Sequence, residues 1–349
     1  MINIILNNLT EVELKDFIDT LDIKKFRSDQ IFRYIHNKNI TNIDEFIQLP
    51  ISEREILKNN SEVKNIQILE KFKSKIDDTI KLLYLLPDNN IIEGVLMKYK
   101  HGYSLCVSTQ VGCRMGCSFC ASTINGLSRN LEAFEIASQI YEVEKEFNIE
   151  LSNIVFMGSG EPFDNYENLI KSIRLLNHPK GRNLGIRNMT ISTCGVVDKI
   201  NEFSNSNIQA NLAVSVHSFK DDIRSKMMPI NNKYNISELM NAINIYVKNT
   251  NRRVSIEYTV IPGENDSDED IELFKKYTKN LNYIVNLIAL NPINDYNKID
   301  YKGKANSFYK KLLKNKINVT LRRELGSDIS ASCGQLKKSY LKEGGTLEF

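Results

Sequence analysis

From about residue 104 onward the sequence repeats one alternation: a short apolar run, an amphipathic stretch, then another apolar run. Strands are expected at 104–110, 153–158, 188–193, 211–217, 253–261, 284–290 and 318–323. Between the first two, Ile136, Ile140, Val143 and Phe147 recur at helical spacing and make one apolar face. Such an alternation constrains the fold strongly. Parallel strands need a crossover connection, and a helix is the usual one. Six or seven such units predict an α/β fold with a full or partial β/α barrel. Its chemistry is expected at the C-terminal ends of the strands. No internal repeat or low-complexity linker interrupts the pattern.

The first 90 residues read differently, as a helical module followed by short strands. "TEVELKDFIDTL" offers Thr10 as N-cap and puts Leu14, Phe17, Ile18 and Leu21 on one face. "RSDQIFRYIHNK" offers Ser28 as N-cap and buries Ile31, Phe32 and Ile35. Around it Lys24, Lys25, Arg27, Arg33 and Lys38 interleave with Phe26 and Tyr34, which makes either a solvated helix face or an RNA-facing patch. "KLLYLLPDNNIIEGVLMKY" predicts a hairpin turning at Pro87–Asn90.

At 349 residues, with 42% hydrophobic and 26% charged positions, the chain suits one large domain plus an accessory one. It lacks the roughly 18 consecutive apolar residues of a membrane span, so no membrane association is expected. "MINIILNNLTEVELKDF" has no signal-peptide pattern. The expected location is the cytoplasm, where thiols stay reduced, so six cysteines suggest metal binding or catalysis before disulfides. A net charge of +3 is compatible with nucleic acid but too small to argue for it alone.

The loop after the first barrel strand, "VGCRMGCSFCAS", spaces Cys113, Cys117 and Cys120 as CxxxCxxC. Structural zinc takes four ligands, and so does an iron–sulfur cubane held wholly by protein. Either a fourth ligand comes from afar, or one metal position is open. The other strand ends are polar: "GSGEP" (Gly158–Pro162), "STCG", "SVHS" and "NLIALNP". Gly158 and Gly160 allow a ligand close to the backbone, and Glu161 adds a carboxylate.

This constellation resembles the radical S-adenosylmethionine (SAM) superfamily. There, three cysteines hold a [4Fe–4S] cluster and the cofactor chelates the fourth iron. With "CVSTQVGCRMGCSFCAST", "MGSGEP", "STCGVV", "SVHS", "MPINNKY", "NLIALNP" and "DISASCGQL", the chain resembles the RlmN/Cfr family from about residue 10 to about residue 340. That resemblance implies a partial (β/α)6 barrel with a small N-terminal helical accessory domain. The division would be 1–90 for RNA binding with a connecting hairpin, 91–333 for the barrel and 334–349 for a tail.

It also implies methylation of adenine C2 in the peptidyl-transferase centre of 23S rRNA and beside the anticodon of certain tRNAs. A C8 methyltransferase giving antibiotic resistance and a zinc-stabilised RNA-binding protein are the alternatives. By the same match, Cys113, Cys117 and Cys120 hold the cluster. Gly160, Glu161, Ser192, Ser215, Val216, His217 and Asn291 contact SAM, two molecules of which serve each turnover. Cys333 carries a methyl group, Cys106 resolves the adduct through a transient disulfide with Cys333, and Glu93 accepts a proton. An electron donor such as flavodoxin or ferredoxin and a monomeric state are implied as well. Cys194 receives no role beyond that of a small core residue.

Overall fold

The computed structural model describes residues 3–291 and 299–332. In chain order its elements are β1 (Ile4–Ile5), α1 (Glu11–Thr20), α2 (Arg27–His36), α3 (Ile51–Asn60), β2 (Ser61–Glu62), β3 (Gln67–Lys73), β4 (Ile80–Leu85) and β5 (Ile91–Tyr99). There follow β6 (Gly102–Cys106), β7 (Gln110–Gly112), β8 (Leu127–Asn130), α4 (Ala133–Phe147), β9 (Leu151–Phe156), α5 (Tyr166–Asn177), β10 (Met189–Thr193), α6 (Val197–Ser204) and β11 (Asn211–Ser215). The last are α7 (Asp221–Met227), α8 (Ile236–Thr250), β12 (Val254–Val260), α9 (Asp268–Thr278), β13 (Tyr283–Ala289), α10 (Tyr301–Lys314) and β14 (Val319–Leu321).

One ten-stranded sheet has the order β14-β13-β12-β11-β10-β9-β6-β5-β4-β3. From β6 to β14 every neighbouring pair is parallel, with helices in the crossovers. Among the described residues no pairing closes β14 onto β3, so the barrel is an open arc. This is the expected α/β barrel fold. β3, β4 and β5 extend it antiparallel, and residue 90 lies in the β4–β5 turn, where Leu86 N donates to Asn90 O at 2.9 Å.

The crossover helices form for local reasons as well as burial. α4 starts at a Glu132/Glu135 capping box and ends at Asn148 in the left-handed region, with Ile136, Ile140 and Val143 buried as their spacing requires. α1 starts at the expected Thr10 capping box. α2 corrects the N-cap reading: Ser28 lies inside the helix, and its hydroxyl donates to Lys25 O at 2.8 Å.

α1, α2 and α3 share a core around Leu14, Ile18, Ile31, Phe32 and Leu57, and that core also includes Ala133 of α4 and Leu175 of α5. Polar contacts add to the junction. Tyr141 Oη lies 3.1 Å from His36 Nδ1, and the His178 ring stacks edge-on to Phe32 with its Nε2 2.8 Å from Glu11. No helix of the described residues is long and apolar enough to cross a membrane.

Candidate active site

The predicted strand 104–110 is split, and the split builds the site. After β6 the chain still follows β9, with Val107 N donating to Val155 O at 3.0 Å and Thr109 N to Ser159 O at 2.9 Å. It then turns into the β7–β8 hairpin, whose loop carries the three cysteines. Gly112 has φ +78°, and a Cβ there would lie 2.0 Å from Gly126 O, so only glycine lets the loop close. Cys113 N donates to Gly126 O at 3.1 Å, and Cys120 N to Cys117 O at 3.1 Å.

Cys113, Cys117 and Cys120 line one cleft with Gly158, Gly160, Glu161, Ser192, Ser215, His217 and Asn291. Four polar strand ends therefore converge on one rim, as their sequence positions predict. Val216 does not join them. It is fully buried, its N–H donates to Glu257 O at 3.1 Å and its carbonyl accepts from Arg224 Nε at 3.1 Å.

The three cysteines form no disulfide. Burial pushes the Cys113 thiol up to about 12, and the Cys117 thiol up as well. Metal binding deprotonates such thiols outright. Among the described residues no three His, Cys, Asp or Glu side chains are arranged to hold a single ion. Three thiols on one short loop, all lining a single cleft, suit three corners of a cubane, with the fourth position left to another ligand. The residues present thus fit a [4Fe–4S] cluster, and at Gly160, beside them, only glycine fits because the backbone packs directly on Gln110. There φ is +103°, and a Cβ would meet Gln110 Cβ at 2.6 Å.

Glu161 is bound from within. Its carboxylate accepts Phe163 N at 2.9 Å and Cys194 N at 2.7 Å, tying the end of β9 to the end of β10. Burial pushes its pKa up, and those donors pull the other way. His217 sits at φ +57°. Its Nδ1 accepts Thr259 N at 2.9 Å, which leaves the proton on Nε2. Burial lowers its pKa to about 3, so the ring stays neutral. Asn265 locks this geometry, with Nδ2 donating to His217 O at 2.7 Å and Thr259 O at 2.8 Å, and Oδ1 accepting Ile261 N at 2.7 Å.

A second cavity adjoins the cleft. Cys106, Val95, Met97, Ala331 and Ser332 line it, and Met157, Ile288, Ala289, Asn291 and Arg322 line both. Glu93 is buried on β5, on the same face as Val95 and Met97 by the strand period of two. Cys333 lies outside the described residues.

The sequence reading gave no role to Met157, Glu257, Arg322 or Asn265: Met157 begins the "MGSGEP" stretch, Glu257 and Arg322 meet only across strands, and Asn265 joins its own loop to His217, 48 residues away. Cys194 lines the cleft beside Glu161 as well as being buried, which its position in "STCG" signalled.

An open parallel β/α arc with a CxxxCxxC loop after its first strand defines the radical SAM class of enzymes, and residues 107–274 match the radical SAM superfamily model. The crystal structure of a radical SAM methyltransferase from Sphaerobacter thermophilus superposes with a TM-score of 0.88 at 37% identity, covering 96% of this chain and 99% of that one. The chain belongs to the RlmN family of RNA methyltransferases. It is 46% identical over 336 residues to the probable dual-specificity RNA methyltransferase RlmN of Clostridium novyi (strain NT), covering 96% of this chain and 98% of the relative. Its identity to the Clostridioides difficile (strain 630) protein of the same description is 46% over 339 residues, covering 97% and 98%. Residues 3–63 match the ribosomal RNA large subunit methyltransferase N-terminal domain.

Proposed function

We propose that the chain is a dual-specificity enzyme that methylates adenine C2 in the peptidyl-transferase centre of 23S rRNA and beside the anticodon of certain tRNAs. The junction of the two cavities carries this reading. Cluster cysteines and cofactor-facing strand ends lie on one side of it, and Cys106 and Ser332 on the other. Cys333 follows Ser332 directly in sequence.

Cys113, Cys117 and Cys120 hold the cluster, and Gly160, Glu161, Ser192, Ser215, His217 and Asn291 face SAM. Bound there, the cluster and SAM supply an electron and a cleavable C–S bond, hence carbon-radical chemistry, with two SAM molecules used per turnover. His217 offers Nε2–H to a cofactor acceptor, because its other nitrogen is held by Thr259 N. Cys333 carries the methyl group as a thioether and so tethers the adenine after addition. Glu93 takes the proton that leaves C2, and the adduct's unpaired electron would return to the cluster. The Cys106 thiolate attacks the Cys333 sulfur and an S–S bond forms as the S–C bond breaks. That bond's pair goes to carbon, which takes up a proton to become the methyl.

The target base must be unstacked to reach this depth. Residues 1–90 bind the RNA, 91–333 form the barrel and 334–349 the tail. Of the five cations around α2, Lys24, Arg33 and Lys38 form no ion pair among the described residues and are offered to phosphate, whereas Arg27 lies 2.9 Å from Glu53 and Lys25 2.8 Å from Asp19. A flavodoxin- or ferredoxin-like donor, a monomer and a cytoplasmic setting complete the reading.

Mass spectrometry of nucleosides from 23S rRNA and tRNA, in cells lacking the activity and then expressing this chain, tests it. 2-Methyladenosine in both RNAs is expected. 8-Methyladenosine in rRNA would transfer the chain to the C8 reading, and neither product, with the cluster intact, would overturn both.

A further inference from the structure

Arg224, in the middle of α7, is fully excluded from solvent. Its Nε donates to Val216 O at 3.1 Å and its Nη1 to Asn231 Oδ1 at 2.9 Å. Its Nη2 donates to Cys194 O at 2.8 Å and Ser215 O at 3.2 Å. Every one of these acceptors is uncharged. Among the described residues no carboxylate forms an ion pair with Arg224. Asp221 is tied to it through Asn231, whose Nδ2 donates to Asp221 Oδ1 at 2.9 Å, and attracts it through space without pairing with it. Other arginines near the cleft have such partners: Arg114 holds Asp164, and Arg322 lies 3.7 Å from Glu257. A buried guanidinium without a counter-ion is costly, and bracing carbonyls does not require a charge.

The cluster loop lies against this helix. Ser118 N donates to Met227 O at 2.9 Å, and Met227 and Met228 pack with Met115, Cys117, Phe119 and Cys194. Cys194 and Ser215, whose carbonyls Arg224 holds, line the cleft with the three cysteines. A [4Fe–4S]2+ core with three thiolates has a net negative charge, and reduction by one electron adds another. Net charge and hydrogen bonding around such a cluster set its potential.

We infer that Arg224 is the buried counter-cation of the cluster, a positioning residue whose fixed charge behind the ends of β10 and β11 favours the reduced state. The inference rests on the reading that Cys113, Cys117 and Cys120 hold the cluster. It assigns a charge to a place where the fold alone needs only hydrogen-bond donors.

The test compares anaerobically reconstituted full-length wild type, Arg224→Lys, Arg224→Met and Asn231→Asp. Iron and sulfide content, the unfolding midpoint and an EPR-monitored redox titration with mediators are read for each. Wild type that takes up no cluster would sink the ligand reading itself, separately from this inference. With the cluster present, Arg224→Met should shift the potential to more negative values, while Arg224→Lys stays near wild type despite losing the planar fork. Asn231→Asp, which sets a carboxylate against the retained guanidinium, should shift the potential the same way and serves if Arg224→Met does not fold. Potentials equal to wild type in the charge-removing or charge-neutralising variants, whatever their unfolding midpoints, would leave Arg224 a brace and overturn the inference.

Discussion

Replacing Asn265 with alanine removes the clamp on His217. The side chain is fully buried and makes three hydrogen bonds of 2.7–2.8 Å, to two carbonyls and one N–H. Each orphaned buried group costs about 1–3 kcal/mol, and partial relaxation brings the expected loss to about 3–5 kcal/mol. Holding a non-glycine residue such as His217 at positive φ costs a further ~1–2 kcal/mol, which the clamp offsets in the parent. Without it His217 relaxes, its bond from Thr259 N is lost and the ring leaves the cleft. Urea unfolding of the apo protein should show the stability loss. Equilibrium dialysis of SAM on the reconstituted protein should show affinity down about tenfold or more, a ~1.4 kcal/mol effect. Asn265→Asp should be worse than alanine, because a carboxylate oxygen would replace the amide that donates to two carbonyls. An unfolding free energy within about 0.5 kcal/mol of wild type, or an aspartate variant more stable than the alanine one, would refute the reasoning.

Cys106→Ala should stall after addition and accumulate RNA joined to the protein through Cys333, seen as a conjugate that survives denaturation on a gel. Normal turnover without a conjugate would remove Cys106 from its role. Burial lowers His36 and His217 to about 3 from 6.5. Below pH 6.5 the unfolded chain therefore binds protons that the folded one does not, and stability is lost as pH falls from about 6.5 towards 3, by up to about 1.4 kcal/mol per pH unit for each histidine. The difference in urea midpoint between pH 7 and pH 5 should shrink in His36→Gln, and an unchanged difference would rule out its share. Neutralising Lys24, Arg33 and Lys38 together should weaken RNA binding and flatten its salt dependence by up to about 0.7–0.9 in logarithmic slope per cation. Arg27→Gln should cost stability instead, as its bond to Glu53 and a 3.0 Å bond to Gln48 O require.

Strands were legible where apolar runs were bounded by polar ends. β9, β10, β11, β12 and β13 lie within a residue or two of their expected ranges. The first strand, expected over 104–110, ends at Cys106: Val107 and Thr109 look like strand residues, while the bend there is set by bonds to Val155 and Ser159 on another element. Ser28 has the chemistry of an N-cap, but turns at Lys24 and Lys25 start the helix earlier. The cysteine loop and the strand-end motifs were readable because their spacing is local. Glu257 was not, since one polar residue in an apolar strand announces nothing until the fold supplies its partners, and Arg224 and Asn265 were not, since each is one polar residue among many in a polar stretch.

The shared core of α1, α2 and α3 with Ala133 and Leu175 has a consequence for substrate choice. A module on a loose tether would sample many separations from the barrel mouth and could follow RNAs of many shapes. This one is cemented to α4 and α5, so it works as a calliper whose jaws do not open. Under the proposed function, in which this module grips the RNA, a ribosomal hairpin and an anticodon loop would share the enzyme only by presenting their adenine at the same reach from the gripped backbone. Selection is then made by length before any base is read.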